Sequence, residues 1–229
     1  MGIRVTHLPF LDGREGYQDQ LAEALTRAGV DVELTTCRTL FLRDALARWR
    51  CDILHIHWLH PIFGAASRSK AALRAFLFVL QLGLLKLAGK RIVWTVHNLW
   101  EHEREFLRID RRLRRALAFL ADAVIVHGPS VKPVVAGAYG VPHRKLHVVP
   151  PGNYVRYYAN RVGRAEARQR LGIPASALVF LFLGSIRRYK GVQRLVEEFR
   201  ALRADDALLC IAGRPLIPSL TQEIRDRSE

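Results

Sequence analysis

Short apolar segments alternate with helical segments along most of this 229-residue chain, and this alternation restricts the possible folds more than any other feature. Six apolar runs of strand length occur in roughly the first 150 residues, and helical spacing separates most of them. Buried strands joined by helices are typical of a parallel sheet that is covered on both faces. We therefore predict an α/β fold, with a Rossmann-like doubly wound parallel sheet in residues 1–150.

The apolar runs and the helical spacing also predict the individual elements of this first region. The predicted strands are Ile3–Leu8, Val30–Thr35, Asp52–Trp58, Arg91–Val96, Ala123–Val126 and Leu146–Val149. The predicted helices are Gly16–Ala28, Thr39–Arg48, Ser67–Ala88, Arg104–Leu120 and Ser130–Tyr139.

A second alternation begins after a polar, arginine-rich connector, which we place at residues 151–174 with a small helix at Arg164–Leu171. Residues 175–229 are then predicted to contain two strands, one helix and a polar tail. These elements are strands Leu178–Gly184 and Ala207–Ala212, helix Val192–Arg203 and tail Pro218–Glu229. Two strands are fewer than a stable sheet usually contains, so we expect an incomplete second Rossmann-like domain, the start of a longer two-domain protein.

Composition narrows the possible partners. The formal net charge is +15 and the pI is about 10.6, which favours polyanions such as nucleic acid, anionic lipid or phosphate-bearing substrates. The sequence contains no helix-turn-helix pattern, zinc-finger spacing or basic run interleaved with aromatics, so we expect no nucleic-acid partner. Three cysteines without a CxxC pair, and no signal-peptide pattern, predict a cytoplasmic protein.

The segment Phe180–Gly191 places a glycine and several cations between a predicted strand and a helix start. Gly184 ends the strand, and Arg187, Arg188 and Lys190 follow it directly before the helix. The amides at a helix N-terminus favour anions, and neighbouring cations add to that preference. This segment is therefore a candidate phosphate-binding loop.

Histidines gather at the ends of predicted strands. His55 and His57 alternate on the third strand with His60 just beyond, and His97 follows the fourth strand in Thr95–Asn98. Side chains at i and i+2 share a face of a strand, so three interpretations stay open: a zinc site completed by His97, His102 and Glu103, a contact with a polar substrate, and buried core histidines. For His97 we favour substrate contact, because ligands of open α/β sheets bind at strand ends.

A turn and two helices supply further candidates. Gly13 and Gly16 precede the first helix, where they could admit a phosphate or simply form an ordinary turn. The apolar run 76–85 is too short to span a bilayer and suits either a core helix or one that dips into a membrane surface. The next helix is basic and amphipathic, which suits either solvent or anionic lipid. Its candidate membrane-facing cations are Arg108, Arg111, Arg112 and Arg115.

Six segments in this order resemble the family 4 retaining glycosyltransferases, which have the two-Rossmann GT-B fold. They are Gly13/Gly16, residues 52–58, residues 95–98, residues 148–154, residues 184–191 and residues 211–213. The resemblance covers nearly the whole chain. It implies an enzyme whose N-terminal domain binds the acceptor and whose C-terminal domain binds a nucleotide-sugar.

The resemblance also implies residue roles. His97 would contact the transferred sugar as the catalytic residue, and His57 and Asn98 would lie on the acceptor side. The donor-binding residues would be Gly13, Gly16, Gly184, Arg187, Arg188 and Lys190. The family's usual arginine directly after the glycine is Ser185 here, so the cation role moves to Arg187 or Arg188. No metal or cofactor is implied, because fixed cations and helix dipoles stabilise the leaving diphosphate.

The expected function is transfer of a sugar from a nucleotide-sugar donor to a lipid-linked or polysaccharide acceptor, for instance of the cell envelope, at the inner face of a membrane. The family's later acidic motif lies beyond residue 229, so part of the donor pocket is expected to be missing. Two other classes stay open: a non-catalytic protein that binds a glycan or an anionic lipid, and a nicotinamide-dependent oxidoreductase. The oxidoreductase interpretation lacks support, because the chain has no GxGxxG glycine triplet followed by a ribose-binding acid.

Overall fold

The structure is a computed structural model that describes residues 2–10, 16–36, 39–45, 51–100, 106–155, 157–215 and 218–228. The chain divides into two compact units, Met1–Tyr158 and Ala159–Glu229. Residues 151–158, which the sequence assigns to a connector, therefore pack with the first unit.

The first unit contains a six-stranded sheet in which every pair of neighbouring strands is parallel. Its strands are β1 (Arg4–Leu8), β2 (Asp31–Leu34), β3 (Ile53–Ile56), β4 (Arg91–Thr95), β5 (Ala123–Val126) and β6 (Leu146–Val148). The strand order is β2-β1-β3-β4-β5-β6, so the chain reverses its direction of progress across the sheet between β1 and β3. The predicted α/β Rossmann-like fold is confirmed, and this reversal is a topological switch point, where open α/β sheets bind ligands.

Helices join these strands, and all but the third lie close to predicted positions. They are α1 (Gly16–Arg27), α2 (Leu42–Asp44), α3 (His60–Phe63), α4 (Arg68–Leu87), α5 (Leu107–Leu120) and α6 (Val131–Tyr139). A 3-10 turn at His143–Lys145 leads into β6. The predicted helix Thr39–Arg48 is helical at α2, and residues 46–50 lie outside the described part of the chain.

The core of the first unit lies around the sheet and the inner helix faces. Leu54, Ile56 and Trp94 of the central strands are fully buried, as are Phe78 and Leu82 of α4. Full burial of such side chains stabilises a fold by about 1.5–3 kcal/mol each before conformational entropy is subtracted. The central strands β3 and β4 are therefore anchored on one continuous core.

Helix α4 has an apolar face on each side, and both interpretations of its sequence therefore stay open. The Ser67 side chain accepts a hydrogen bond from the Lys70 backbone at the start of the helix. The inner face buries Ala71, Ala75, Phe78, Leu82 and Leu85. The outer face exposes Leu73, Phe76, Leu80, Leu84 and Leu87. Among the described residues, no helix has both the length and the apolarity that crossing a bilayer requires.

Helix α5 directs its apolar face inwards. Leu113 and Leu117 are buried, and the buried Asp110 and Arg114 form an ion pair with a 2.7 Å contact. Arg114 also donates to the carbonyl oxygen of Asn98 at 2.8 Å, which fixes the loop after β4. The four candidate membrane-facing arginines of α5 are all exposed.

The second unit contains a two-stranded parallel sheet of β7 (Leu178–Leu183) and β8 (Ala207–Ala212). Its helices are α7 (Arg164–Arg170), α8 (Val192–Ala201) and α9 (Pro218–Ser228), with a 3-10 turn at Arg188–Lys190. The polar tail predicted for residues 218–229 is wrong, because residues 218–228 form helix α9. Its Leu220 and Ile224, one helical turn apart, are buried in a small core with Val192 and Val196.

Candidate functional site

The carboxyl edge of the first sheet carries a cluster of histidines on four adjacent strands. His7 lies in β1 and is paired in register with His55 of β3. His57 follows β3, His97 follows β4 and His127 follows β5. Because all strands are parallel, these ends meet at one edge, at the switch point between β1 and β3.

Four of these rings are joined by close nitrogen–nitrogen contacts. His7 Nδ1 lies 2.8 Å from His57 Nε2, and His57 Nδ1 lies 3.3 Å from His97 Nε2. His97 Nδ1 lies 3.3 Å from His127 Nε2, and His127 Nδ1 lies 3.1 Å from the Val149 carbonyl oxygen. We call His7, His57, His97 and His127 the histidine chain. The fifth ring, His55, contacts Thr95 Oγ1 through Nε2 at 2.8 Å.

Two larger aromatic rings border the histidine chain. Trp58 stacks on His97 with ring centroids 4.3 Å apart and planes 15° from parallel. Tyr17 of α1 presents its ring edge-on to His97, with centroids 4.9 Å apart, and it contacts His57 and His127 in the same manner. The arrangement combines flat apolar faces with neutral hydrogen-bonding nitrogens, which suits a polar, uncharged ligand such as a sugar.

Burial keeps four of the histidine rings uncharged, those of His7, His55, His57 and His97. Burial lowers the pKa of His7 to about 4. Burial, with a smaller contribution from His127, lowers the pKa of His97 to about 3. The pKa values of His55 and His57 also lie well below their ordinary value, mainly because both rings are buried and secondly because other histidines surround them. The rings of His7, His55, His57 and His97 therefore each have one N–H donor and one lone-pair acceptor at neutral pH.

Three of the histidines could in principle hold a metal ion. One ring nitrogen from each of His7, His55 and His57 lies within 4.8 Å of the other two. Ligands of tetrahedral zinc about 2.05 Å from the metal lie about 3.3 Å apart, whereas the His7–His57 contact is only 2.8 Å. That separation is a hydrogen-bond distance, so the geometry favours a direct bond between the two rings over a shared metal.

The predicted glycine turn is described only in part. Gly13 lies outside the described residues, as do His102 and Glu103 of the alternative zinc interpretation. A Cβ on Gly16 would lie 2.4 Å from the ring of Tyr157, so this ring packs directly against Gly16 and leaves no room for a larger residue there. The Tyr157 hydroxyl donates to Asp19 Oδ2 at 3.0 Å.

A cavity of about 560 Å³ lies between α1 and the segment after β6, within the first unit. Tyr17, Tyr154 and Tyr157 supply aromatic walls. Gln20 and Asn153 supply polar groups. Since Tyr17 also contacts His97, the cavity and the histidine chain share one wall.

The predicted phosphate loop of the second unit is a tight turn between β7 and α8. Gly184 has a φ of +135°, which favours glycine, and the Lys190 ammonium lies 3.4 Å from the point where a Cβ on Gly184 would be. Arg188 is paired with Glu223 of α9 at 3.0 Å, whereas Arg187 is partly buried. Lys190 is therefore the loop cation that lies directly at the glycine.

A second glycine shapes the same turn. A Cβ on Gly213, just after β8, would lie 1.8 Å from the Gly184 carbonyl oxygen. The Gly184 amide donates to the Ala212 carbonyl at 3.0 Å, and the Ile186 amide donates to the Arg214 carbonyl at 2.9 Å. Only glycine fits at position 213 with this backbone.

The structure thus brings together His55, His57 and His97 of the residues that the sequence singles out, and it adds His7, Tyr17 and His127 to their surroundings. Asn98 lies next to His97, half-buried, and its carbonyl is bound by Arg114. Sequence reasoning missed His7 and His127. The signal was present, since each of them lies at the carboxyl end of a predicted strand.

Comparison with known proteins identifies the family. Residues 37–153, just over half of the chain, match the family described as Glycosyltransferase Family 4. The matched segment runs from before β3 to after β6 and so contains His55, His57, His97 and His127. The chain belongs to this glycosyltransferase family.

Individual relatives agree with this assignment. The chain is 29% identical over 211 residues to a GDP-mannose:glycolipid 4-beta-D-mannosyltransferase of Xanthomonas campestris pv. campestris, which covers 89% of this chain and 51% of the relative. It is 38% identical over 77 residues to a D-inositol 3-phosphate glycosyltransferase of Kineococcus radiotolerans, which covers 34% of this chain and 18% of that protein. The chain thus spans about half the length of the first of these relatives.

Solved structures confirm the fold. Anabaena Alr3699/HepE, crystallised in complex with UDP-glucose, superimposes with a TM-score of 0.60 at 15% sequence identity. The superposition covers 98% of this chain and 66% of that one. At this identity the likeness establishes a shared architecture, and function has to be argued from the site.

Proposed function

We propose that this chain is part of a glycosyltransferase that moves a sugar from a nucleotide-sugar donor to a lipid-linked or polysaccharide acceptor, with retention and without a metal. The observation that carries the proposal is the histidine cluster at the switch point of the first sheet. The mannosyltransferase among the relatives takes GDP-mannose, and the solved HepE structure holds UDP-glucose. These two nucleotide-sugars are the first donors to test.

The chemistry of the cluster suits a sugar better than an ion. Neutral imidazoles donate one hydrogen bond and accept one, as a hydroxyl does, and they add no charge that would attract a carboxylate. Trp58 and Tyr17 supply aromatic surface beside His97. We assign the sugar contact to His97 and a supporting place in the acceptor region to Asn98 and His57.

The second unit supports the diphosphate part of the proposal. The turn 184–191 places Lys190 against Gly184 and ends where α8 begins, so an ammonium group and helix amides lie close together. Both groups stabilise negative charge that develops on a leaving diphosphate. Fixed cations of this kind do the work that a divalent metal performs in other transferases, hence the proposed metal independence.

A membrane surface is the proposed location of the acceptor. The exposed apolar side chains of α4 recur at helical spacing. The exposed arginines belong to α5, which packs beside α4. Apolar side chains next to cations suit the interface of an anionic bilayer. We therefore propose that the protein lies peripherally on the inner face of a membrane.

Titration calorimetry with GDP-mannose and UDP-glucose tests the donor proposal on the 229-residue chain. We expect one of the two to bind, and Lys190→Gln to weaken that binding about tenfold, as the loss of about 1.4 kcal/mol requires. Arg194→Gln, on the same helix start but paired with Glu198, is the matched control and should leave binding unchanged. Failure of both donors to bind, or equal binding by both variants, would contradict the proposal.

Co-sedimentation with vesicles tests the membrane proposal. We expect binding to vesicles of anionic lipid that falls steeply as salt rises, because surface charge is screened. Phe76→Ser and Leu80→Ser together should reduce binding more than Leu171→Ser and Leu202→Ser together, which also replace two exposed apolar side chains but in the second unit. Equal retention on neutral and anionic vesicles would count against this location.

A further inference from the structure

We propose that the histidine chain fixes the ring proton of His97 on Nδ1, with His127 and His57 as positioning residues. This inference rests on the proposed function, because it concerns the ring that is assigned to the sugar. It extends that function by stating which hydrogen-bonding groups the ring presents.

The direction of the chain is set at one end by a backbone carbonyl. The Val149 carbonyl oxygen lies 3.1 Å from His127 Nδ1, and a carbonyl can only accept a hydrogen bond. His127 must therefore carry its proton on Nδ1. A neutral ring has one proton, so His127 Nε2 is left with a lone pair.

The proton position of each ring then determines that of the next ring. Since His127 Nε2 accepts, His97 Nδ1 must donate to it, and His97 Nε2 becomes an acceptor. His57 Nδ1 then donates to His97 Nε2, and His7 Nδ1 donates to His57 Nε2. The Val149 carbonyl oxygen therefore determines the proton position in all four rings, and in each ring the proton is on Nδ1.

The far end of the chain agrees with this direction. The assignment leaves a lone pair on His7 Nε2. That atom is buried and has no hydrogen-bond partner among the residues that the structure describes. His7 itself is 0% exposed. If every ring donates towards Val149, the ring farthest from Val149 must keep an acceptor that no other ring fills, and His7 Nε2 is that atom.

Each link requires rings that carry one proton, and burial favours this form for His7, His57 and His97 by lowering the pKa of each ring. A cationic ring would carry protons on both nitrogens and would break the sequence of donor and acceptor. Burial lowers the pKa of His97 to about 3 and that of His7 to about 4, so both are neutral at pH 7.

The consequence for a ligand concerns its chemical class. A group that inserts between His57 and His97 replaces their hydrogen bond, and it then meets an N–H on His57 and a lone pair on His97. A hydroxyl can serve both, because it accepts from one nitrogen and donates to the other. A carboxylate or phosphate oxygen can only accept and would face the lone pair of His97. The histidine chain thus selects a sugar hydroxyl over an anion at this point.

Nitrogen-15 NMR of the histidine rings tests the proposal directly. In the full chain labelled at histidine, at pH 7 and without donor or acceptor, we expect His97 to show a protonated Nδ1 and an unprotonated Nε2. The exposed His143 and His147 are internal references for rings outside the histidine chain. Because no substrate is present, the result is independent of whether the proposed transfer occurs.

Two variants at position 127 distinguish a positioning role of His127 from a purely structural one. His127→Gln keeps an oxygen acceptor for His97 Nδ1, so the His97 proton should stay on Nδ1. His127→Phe keeps the ring shape but removes the acceptor, so the proton should redistribute towards Nε2. A wild-type His97 that carries its proton on Nε2 would overturn the proposal without any variant. So would an unchanged proton position in His127→Phe, or stoichiometric Zn²⁺ that binds through the nitrogens of His7, His55 and His57.

Discussion

The two units follow the same local pattern of strand, turn, helix and strand, yet they bury their side chains very differently. In the first unit, central strand residues such as Leu54 and Trp94 are 0% exposed. In the second, Leu183 of β7 is 76% exposed and Leu181 is 63% exposed. The local pattern is equal, so the difference comes from the number of neighbouring strands and covering helices.

This contrast separates two kinds of chemistry. The first unit can keep the imidazoles of His7, His55, His57 and His97 neutral and in fixed orientation, because the six-stranded sheet and its helices largely remove them from water. The second unit offers an exposed ammonium on a glycine turn, which needs no deep core.

Truncation of one leucine in each unit should give the largest difference. Leu54→Ala removes a fully buried side chain and should cost about 2–5 kcal/mol of unfolding free energy. Leu183→Ala, at a mostly exposed position, should cost no more than about 0.5 kcal/mol. Urea unfolding followed by tryptophan fluorescence for the first unit, and by hydrogen exchange of β7 for the second, measures both. Similar losses of unfolding free energy at the two positions would contradict the difference in burial between the two units.

Acidification should destabilise the first unit selectively. The buried rings of His7 and His97 have folded pKa values of about 4 and about 3, below the ordinary 6.5. The unfolded chain therefore binds more protons between pH 6.5 and pH 4, and stability falls as pH falls through that window. We expect a loss of about 1 kcal/mol per ring between pH 7 and pH 5.5.

Tryptophan fluorescence during urea unfolding at the two pH values measures this loss, because all four tryptophans lie in residues 1–158. Residues 159–229 contain no histidine, so hydrogen exchange of β7 and β8, corrected for the intrinsic rate, should change little over the same interval. Equal pH sensitivity of the two units would rule out buried neutral histidines as the cause.

Loss of an exposed ion pair in the second unit should have the smallest effect. Arg188→Gln removes the 3.0 Å contact with Glu223, and the arginine side chain is 61% exposed. Such pairs contribute about 0–1 kcal/mol, so hydrogen exchange in α9 should accelerate only slightly. A loss above about 2 kcal/mol would mean that this pair, rather than Leu220 and Ile224, holds α9 on the sheet.

The sequence predicted the strands of both units well because each is an apolar run bounded by turn residues. It also predicted that His55 and His57 share a face, since that follows from strand geometry alone. It did not predict that His7 and His127 join them, because this depends on which strands become neighbours in the sheet. Helix α9 was missed because its polar composition obscures two apolar residues one turn apart.

The two faces of α4 show a related limit. Periodicity identified an apolar helix, but the run 75–80 is apolar at every position, so the sequence could not say which side faces the core. The structure assigns Phe78 and Leu82 to the inside and Phe76 and Leu80 to the outside.

The central claim is that neutral histidines at the switch point of the first sheet form a sugar-binding site. Titration of GDP-mannose and UDP-glucose into the chain labelled with nitrogen-15 at histidine, observed at the ring nitrogens, tests this claim most directly. The account predicts that the bound donor shifts the His97 nitrogens most, with smaller changes along the histidine chain and none at the exposed His143 and His147. A donor that binds while the His97 nitrogens keep their positions would contradict it.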